Sequence, residues 1–333
     1  MTQNKITIIG SGAMGTAMAK VLYDSGNHNI TIYGIDKGEL EELKQGKNSK
    51  YFPENVKLPK FNTTTDLKSA LADTKYVVLV VPSKFMDKIM IQILEHLSSK
   101  VLLINASKGF YPKTNQALHT GIQSVAAGNN LIRGVVSLIG PSHAEEIVQE
   151  TPTIIDVVDQ NVKLCQEVKS LFATKYFKTY IQTDVIGAEV GAAYKNVLAI
   201  ASGMSSGLGY GINTLAALLT RGLAEMSRFN QKMGGKTATI IGLTGIGDLI
   251  VTATSDLSRN FTFGKQFARK GKAALDTKKT VEGLTALKII YDISVKEKLY
   301  LPIVNYIYNV IFGEYKLDGI VTSLWDGKNE FEN

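Results

Sequence analysis

The residue that most strongly suggests catalysis is Lys195, a lysine within an apolar sequence. It lies in EVGAAYKNVLAIASG, where small and apolar residues recur at helical spacing. A lysine in such a helix must extend its ammonium group to solvent, pair with an acid or lose its proton. Burial lowers the pKa of a lysine in general and would suit it to acid–base chemistry near neutral pH. The alternative is an ordinary surface lysine on an exposed stripe of the helix.

Further polar residues flank Gly-rich or turn-forming segments downstream. The segment GLTGIGDLIVTATS (242–255) is a Gly-rich loop leading into a helix, and Asp248 lies near the helix start. Asp248 could belong to a site or simply cap that helix. Ser258-Arg259-Asn260 follows, and Ser258 could cap the helix NFTFGKQFARKG. The N-terminus of that helix, together with Arg259, would form a cradle for a phosphate group. Thr280-Val281-Glu282-Gly283 is a third polar turn before a helix.

Two polar turns follow predicted strands in the first half of the chain. Lys108 ends the strand segment VLLINASKG (101–109), and Gly140-Pro141-Ser142 ends the segment VVSLIG in the same way. Ligands of open α/β sheets bind at the carboxyl ends of the strands, so both turns are candidate ligand contacts. A surface lysine in a loop and a plain Gly-Pro turn are the alternatives.

A Gly-rich turn near the N-terminus predicts a dinucleotide site. Gly10-Ser11-Gly12-Ala13-Met14-Gly15 has the form G-x-G-x-x-G, with a strand before it, a helix after it and a second strand soon afterwards. Gly10 permits the tight turn, Gly12 lets backbone amides approach a pyrophosphate, and Gly15 lets the helix pack on the strand. The helix N-terminus adds N–H groups and partial positive charge. A Gly-rich turn without a ligand is the alternative.

The end of the second strand bears on the choice of cofactor. An acid there binds the ribose diol, whereas an arginine favours a 2′-phosphate. The chain reads Tyr33-Gly34-Ile35-Asp36-Lys37, without an arginine. Asp36 could accept from the ribose or face solvent. The sequence therefore favours NAD over NADP.

These residues require a sheet and helices to position them. Short β-branched segments at 6–10, 29–34, 76–82, 101–109, 135–140 and 153–158 alternate with helical patterns such as 13–25 and 84–97. This predicts an α/β Rossmann-type N-terminal domain with a mostly parallel sheet. No convincing strand appears after about residue 182, and helical spacing continues from Asp184, which predicts an all-α C-terminal domain. We predict a dinucleotide-binding domain at 1–183 and a substrate-binding domain at 184–333, with the ligand in the crevice between them.

Composition narrows the possible classes of protein. The 333 residues are 44% hydrophobic and 20% charged, as expected for about two folded domains. The net charge of +7 is scattered along the chain, so we expect attraction of anionic ligands rather than nucleic-acid binding. We find no signal-peptide pattern and no spanning apolar run, and therefore expect a cytoplasmic protein without a membrane partner. One cysteine excludes an intrachain disulfide, and the four histidines lack the spacing of metal ligands.

Taken together, the motifs resemble those of bacterial NAD(P)-dependent glycerol-3-phosphate dehydrogenases over essentially the whole chain. The matching segments are GSGAMGTA (10–17), VVPS (80–83), ASKG (106–109), GPSHAEE (140–146), KNVLAIASGMSSGLGYG (195–211), TRGLAEMSR (220–228), GIGDLIVTATSDLSRN (245–260) and VEG (281–283). So many segments in the right order are far more specific than the Gly-rich turn alone.

The resemblance implies an activity and residue roles. The reaction would be reversible hydride transfer between NAD(P)H and dihydroxyacetone phosphate, giving sn-glycerol 3-phosphate for glycerophospholipid synthesis. Lys195 would exchange a proton with the C2 oxygen, and Lys108 would also be catalytic. The substrate-binding residues would be Lys108, Gly140, Ser142, Lys195, Asp248, Ser258, Arg259 and Asn260. The cofactor-binding residues would be Gly10, Ser11, Gly12, Ala13, Met14, Gly15, Asp36, Lys108, Ala144, Arg259, Thr280 and Glu282. A homodimer is expected from the same similarity.

The chain departs from the family pattern at a few positions. Ala13 and Met14 stand where the family often has Ser and an aromatic residue, Ile35 where it often has His or Arg, and His143 where it has an aromatic or hydrophobic residue. Ile35 puts a preference for NADP in doubt. Two rival functions stay open: a related two-domain dehydrogenase acting on a β-hydroxy acid or sugar acid, and a non-catalytic dinucleotide-binding sensor. The Ser258-Arg259-Asn260 cradle argues against the first, and the presence of Lys108, Lys195, Asp248 and Arg259 argues against the second.

Overall fold

The computed structural model of the chain describes residues 4–277 and 280–320. The chain divides into two compact units between Val185 and Ile186. The final segment of the predicted C-terminal domain, 321–333, lies outside the described residues.

The first unit is an α/β structure built on one sheet. Its strands are β1 (Lys5–Ile9), β2 (Ile30–Tyr33), β3 (Asn62–Thr64), β4 (Thr74–Leu79), β5 (Val101–Asn105), β6 (Ile132–Ile139), β7 (Thr153–Val158) and β8 (Phe177–Gln182). Its helices are α1 (Ala13–Asp24), α2 (Lys37–Lys44), α3 (Leu67–Leu71), α4 (Met86–His96), α5 (Leu118–Ala126), α6 (Ala144–Ile147) and α7 (Val162–Leu171), with a 3₁₀ turn at Ser83–Phe85.

The sheet has eight strands in the order β3-β2-β1-β4-β5-β6-β7-β8. Every neighbouring pair is parallel except β6 and β7, which are antiparallel. The order places β1 beside β4, with β2 and β5 on either side of them. The predicted α/β class and mostly parallel sheet are confirmed.

Apolar cores on both faces of the sheet explain the near-continuous apolar strands. Successive side chains of a strand point to opposite faces. Accordingly Ile8 and Val78 belong to one buried cluster, whereas Ile9 and Val77 belong to the other. A sheet covered on both faces requires apolar residues at consecutive positions, as in parallel sheets generally.

In the described residues of the second unit, all regular secondary structure is helical. It contains α8 (Val185–Gly207), α9 (Ile212–Met233), α10 (Thr237–Ile240), α11 (Asp248–Ala253), α12 (Arg259–Lys270), α13 (Glu282–Lys296) and α14 (Pro302–Ile311). A π-helical turn covers Leu243–Gly247, and 3₁₀ turns cover Gly271–Leu275 and Leu317–Ile320. Helix α8 is buried along nearly its whole length, which explains why it is apolar on all sides. None of the helices in the described ranges combines the length and apolar character of a membrane span.

Three local predictions need correction. Strand β5 ends at Asn105, so Lys108 lies in the turn after the strand rather than in it. The Gly-rich segment before Asp248 is a π-helical turn and not an open loop. Strands β3 and β8 were not expected; both lie at the edges of the sheet.

Candidate active site

The Gly-rich turn lies between β1 and α1 and has the geometry that its three glycines predict. Gly10 has φ of 125°, and a Cβ there would lie 2.8 Å from the carbonyl oxygen of Val80. A Cβ at Gly15 would lie 2.0 Å from the carbonyl oxygen of Gly10. Side chains are therefore excluded at both positions by neighbouring backbone.

The N-terminus of α1 is open in the way that a phosphate group requires. Gly12 is the N-cap residue, and no side chain caps the helix. Among the described residues, a Cβ added at Gly12 would come within 4 Å only of the phenol group of Tyr51, whose hydroxyl oxygen would lie 3.7 Å away. Uncapped N–H groups at a helix N-terminus bind pyrophosphate, so the residues present fit a dinucleotide.

A buried carboxylate supports this turn from behind. Ser11 Oγ donates a 2.6 Å hydrogen bond to Glu39 Oε2, and the other oxygen of Glu39 lies 2.5 Å from Lys50 Nζ. Asn48 Nδ2 donates to the carbonyl oxygen of Ser11 over 3.0 Å. The hydroxyl of Ser11 is thus committed within the protein. Its backbone, rather than its hydroxyl, is the part suited to contact a cofactor.

The residues after β2 differ sharply in their environments. Asp36 caps α2 by accepting from the amides of Gly38 and Glu39, and its second oxygen lies 3.4 Å from Lys50 Nζ. The Glu39 amide, aided by Lys50, holds the pKa of Asp36 below its ordinary value. Ile35 is 87% exposed. Asp36 therefore has a structural task as a helix cap in addition to its predicted role toward a ribose.

Lys108, Gly140 and Ser142 are brought together at the carboxyl ends of β5 and β6. Lys108 Nζ donates to the carbonyl oxygen of Gly140 over 2.9 Å, and Ser142 Oγ donates to the same oxygen over 2.9 Å. Ala144 is buried at the first position of the short helix α6. The two turns that the sequence indicated as separate candidates thus form one cluster in the first unit.

Lys195 lies at the centre of a buried network in the second unit. Its Nζ lies 2.7 Å from Asp248 Oδ1, and the side chains of Lys195 and Asp248 are only 5% and 1% exposed. This excludes the surface-lysine alternative and shows that the ammonium is paired. Asp248 is the first residue of α11 but does not act as its cap, since the N-cap residue is Gly247.

Thr252 also belongs to this network and was not anticipated. Lys195 Nζ donates to Thr252 Oγ1 over 2.7 Å, and that hydroxyl donates to the carbonyl oxygen of Asp248 over 2.6 Å. Thr252 is one helical turn after Asp248, so the two side chains share a face of α11. That spacing is the only signal in the sequence that could have revealed it.

The predicted phosphate cradle has the expected local structure. Ser258 is the N-cap of α12, and its Oγ accepts from the amide of Phe261 over 3.3 Å. Arg259 begins the helix and is exposed. The N-terminal end of α12 therefore presents helix amides and a guanidinium group together.

Asn260 links three helices of the second unit. Its Nδ2 donates to Asn196 Oδ1 over 2.9 Å, and its Oδ1 accepts from the amide of Gly283 over 3.0 Å. Asn196 directly follows Lys195 on α8, and Gly283 lies in the first turn of α13. Asn196 was missed because nothing in its sequence context marks it. Glu282, the first residue of α13, and Thr280 just before it are both half-buried at this end of the helix.

Comparison with known proteins identifies the family. Residues 5–165 match the profile described as NAD-dependent glycerol-3-phosphate dehydrogenase N-terminus, and residues 184–322 match that of the C-terminus.

Individual relatives cover the whole chain. A protein of Mycoplasma mobile named glycerol-3-phosphate dehydrogenase [NAD(P)+] is 57% identical over 99% of both chains. One of Bacillus subtilis with the same name is 36% identical, again over 99% of each. A crystal structure of glycerol-3-phosphate dehydrogenase from Coxiella burnetii is 28% identical, with a TM-score of 0.88 over 98% of this chain and 99% of that one. Both halves of the chain, each carrying its predicted polar cluster, belong to the NAD-dependent glycerol-3-phosphate dehydrogenase family.

Proposed function

We propose that this protein catalyses the reversible NAD(P)-dependent interconversion of dihydroxyacetone phosphate and sn-glycerol 3-phosphate. The observation that carries the proposal is the buried network of Lys195, Asp248 and Thr252. Burying a charged pair is costly and does not by itself favour stability. A functional need for an oriented ammonium accounts for its presence in the helical unit. The full-length similarity to enzymes of this name supports the same reaction.

Lys195 is the proton donor in this account. When bound, the nicotinamide supplies the hydride to C2 of the ketone, and the C2 oxygen then needs a proton. Lys195 provides that proton and takes it back in the reverse direction. Asp248 accepts one hydrogen bond from the ammonium, and Thr252 accepts a second, so the two residues fix its direction.

Other cations and helix ends hold the rest of the substrate. The amides at the start of α12 and the guanidinium of Arg259 bind the phosphate group, with Ser258 shaping that end of the helix. Asn260 keeps the start of α12 tied to α8 and α13. Lys108, held at Gly140 and close to Ser142, provides positive charge for the oxygen that becomes negative during transfer.

The Gly-rich turn binds the dinucleotide through its backbone. Gly10, Ser11, Gly12, Ala13, Met14 and Gly15 form the pyrophosphate turn, and Asp36, Lys108, Ala144, Arg259, Thr280 and Glu282 are the further cofactor contacts that we propose. NAD is preferred because Asp36 places a carboxylate after β2 and no arginine occurs there.

The setting of the enzyme is also part of the proposal. We infer a cytoplasmic homodimer, with residues 1–183 as the dinucleotide-binding domain and 184–333 as the substrate-binding domain. Its product would enter glycerophospholipid synthesis. Family resemblance supports each of these statements.

One assay tests the activity. NADH and NADPH oxidation are followed with dihydroxyacetone phosphate, without substrate, and with a β-keto acid in its place. We expect both cofactors to be oxidised with dihydroxyacetone phosphate, but neither with the β-keto acid nor without substrate. The rate should be higher with NADH than with NADPH. Oxidation of neither cofactor would refute the function, and turnover of the β-keto acid instead would favour the rival dehydrogenase class.

A further inference from the structure

A serine, a histidine and an aspartate form a buried series of polar contacts in the first unit. His119 Nδ1 lies 3.0 Å from Ser137 Oγ, and its Nε2 lies 3.3 Å from Asp159 Oδ2. Ser137 is on β6, His119 is on α5, and Asp159 follows β7. The arrangement has the order of a hydrolytic triad. Ser137 is 0% exposed, however, so no substrate can reach its hydroxyl.

This series of contacts continues from Ser137 to the neighbouring strand. Asn105, the last residue of β5, stands opposite Ser137 in the parallel ladder. Its Nδ2 donates to Ser137 Oγ over 3.2 Å. Because Ser137 Oγ accepts from Asn105, we infer that its own proton is donated to His119 Nδ1. The other ring nitrogen, Nε2, then carries a proton and donates it toward the Asp159 carboxylate. Every contact in the series is thus donated in the same direction, from Asn105 toward Asp159.

The same asparagine holds the turn that carries Lys108. Asn105 Oδ1 accepts from the amide of Ser107 over 3.0 Å, and Asn105 Nδ2 donates to the carbonyl oxygen of Ser107 over 3.1 Å. Ser107 Oγ also donates to the carbonyl oxygen of Val81 over 2.7 Å. The orientation of the Asn105 amide therefore fixes the backbone of the residue just before Lys108.

From these contacts we propose that Asn105, Ser137 and His119 are positioning residues, which orient the Ser107–Lys108 turn so that the Lys108 ammonium reaches the oxygen of Gly140. This proposal rests on the proposed role of Lys108 toward the substrate. Without the Ser137 hydroxyl, the Asn105 amide loses the hydrogen bond that sets its rotation. Its two hydrogen bonds to the backbone of Ser107 then become weaker. Misplacing a catalytic group by about 1 Å lowers rate substantially.

The experiment is a double-mutant cycle between Ser137→Ala and Lys108→Ala in the full-length enzyme. We expect Ser137→Ala to lower kcat about 10-fold, with the Kd for NADH, measured by fluorescence, unchanged within about twofold. In the Lys108→Ala background, Ser137→Ala should have almost no further effect on kcat, because the group that it positions is gone. Asn105→Ala removes the hydrogen bonds to the Ser107 backbone directly and should behave in the same way. It replaces Ser137→Ala in the cycle if that variant does not fold.

The matched control is Thr179→Val on β8. Thr179 is buried in the same sheet, and its hydroxyl has no partner in the described structure. It should change kcat less than twofold, although it changes a buried polar group as Ser137→Ala does. Equal losses from Ser137→Ala with and without Lys108, or the same loss from Thr179→Val, would overturn the positioning role.

A failure of the proposed role of Lys108 toward the substrate gives a different result from a failure of the positioning role. If Lys108→Ala alone is as active as the wild type, then Lys108 has no role in turnover and both proposals for it fall. If Lys108→Ala is impaired and the coupling to Ser137 is absent, only the positioning role is wrong.

Discussion

The ammonium of Lys195 lies 2.7 Å from Asp248 Oδ1, and the structure leaves almost none of either side chain exposed. Removing one partner of such a pair leaves the other charge buried and alone, which costs about 3–5 kcal/mol. Removing both partners together avoids that cost. Stability and catalysis can therefore be separated at this pair.

Asp248→Asn is expected to lower both the free energy of unfolding and kcat, whereas the double variant Lys195→Met with Asp248→Leu should recover stability without activity. Urea unfolding and steady-state rates measure the two effects. A double variant that recovers turnover together with stability would show that the pair serves folding alone.

The hydroxyl of Thr252 is predicted to matter for rate and little for folding. Thr252→Val preserves shape but removes one of the acceptors of Lys195 Nζ. We expect kcat to fall about 10-fold, the loss of roughly 1.4 kcal/mol that a hydrogen bond to a charged group can supply.

Thr254→Val is the matched control for this variant. Thr254 Oγ1 donates to the carbonyl oxygen of Ile250 over 2.7 Å, as Thr252 does to that of Asp248, but Thr254 is exposed. Its kcat should equal that of the wild type. Equal losses in the two variants would mean that the helix bond, and not the contact with Lys195, is responsible.

Cofactor preference is expected to respond to position 35. Ile35 is 87% exposed directly after β2 and Gly34. Ile35→Arg adds a guanidinium where a 2′-phosphate would lie and should raise kcat/KM for NADPH relative to NADH by about 10-fold.

Ile35→Gln, which is polar but uncharged, should leave that ratio close to the wild-type value. An unchanged ratio in Ile35→Arg would place the adenosine ribose away from this position. A rise with both substitutions would point to polarity rather than to charge.

Asp156 is predicted to make stability depend on pH. Burial raises the pKa of Asp156 from 3.8 to about 6. The folded state thus binds more protons than the unfolded state between these values, and stability falls as pH rises through this window. The contribution of Asp156 to the free energy of unfolding is therefore fully favourable only below about pH 4.

Asp156→Asn removes this titration. Above about pH 7 the variant should be more stable than the wild type by about 3 kcal/mol, and the difference should vanish near pH 4. Urea midpoints at pH 4 and pH 8 measure it, with the exposed Asp276→Asn as control. The same difference at both pH values would exclude titration of Asp156 as its cause.

The fold could largely be predicted because its central strands are apolar on both faces. Segments such as KITII and VLLIN, together with the Gly-rich turn, specify buried parallel strands and the start of α1. The edge strands could not be predicted in this way. Strand β3 reads NTT, and β8 alternates buried Phe177 and Thr179 with exposed Lys178 and Tyr180. An edge strand needs less apolar surface, so its signal is weak.

The candidate site was predictable where a residue type conflicts with its surroundings. Lys195 in an apolar helix is such a case, whereas Ser258 was predictable because serine is a preferred residue at a helix N-cap. Asn196 and Thr252 have ordinary helical contexts, and their partners lie 64 and 57 residues away. Tertiary packing alone brings them to the site.

The turnover of Lys195→Met tests the central claim most directly. Methionine keeps most of the side-chain volume but cannot exchange a proton. We expect kcat for dihydroxyacetone phosphate reduction to fall by about 10³-fold, while the Kd for NADH and the far-UV circular dichroism spectrum stay at wild-type values. Turnover near the wild-type rate in this folded, cofactor-binding variant would contradict the assignment of Lys195 as the proton donor.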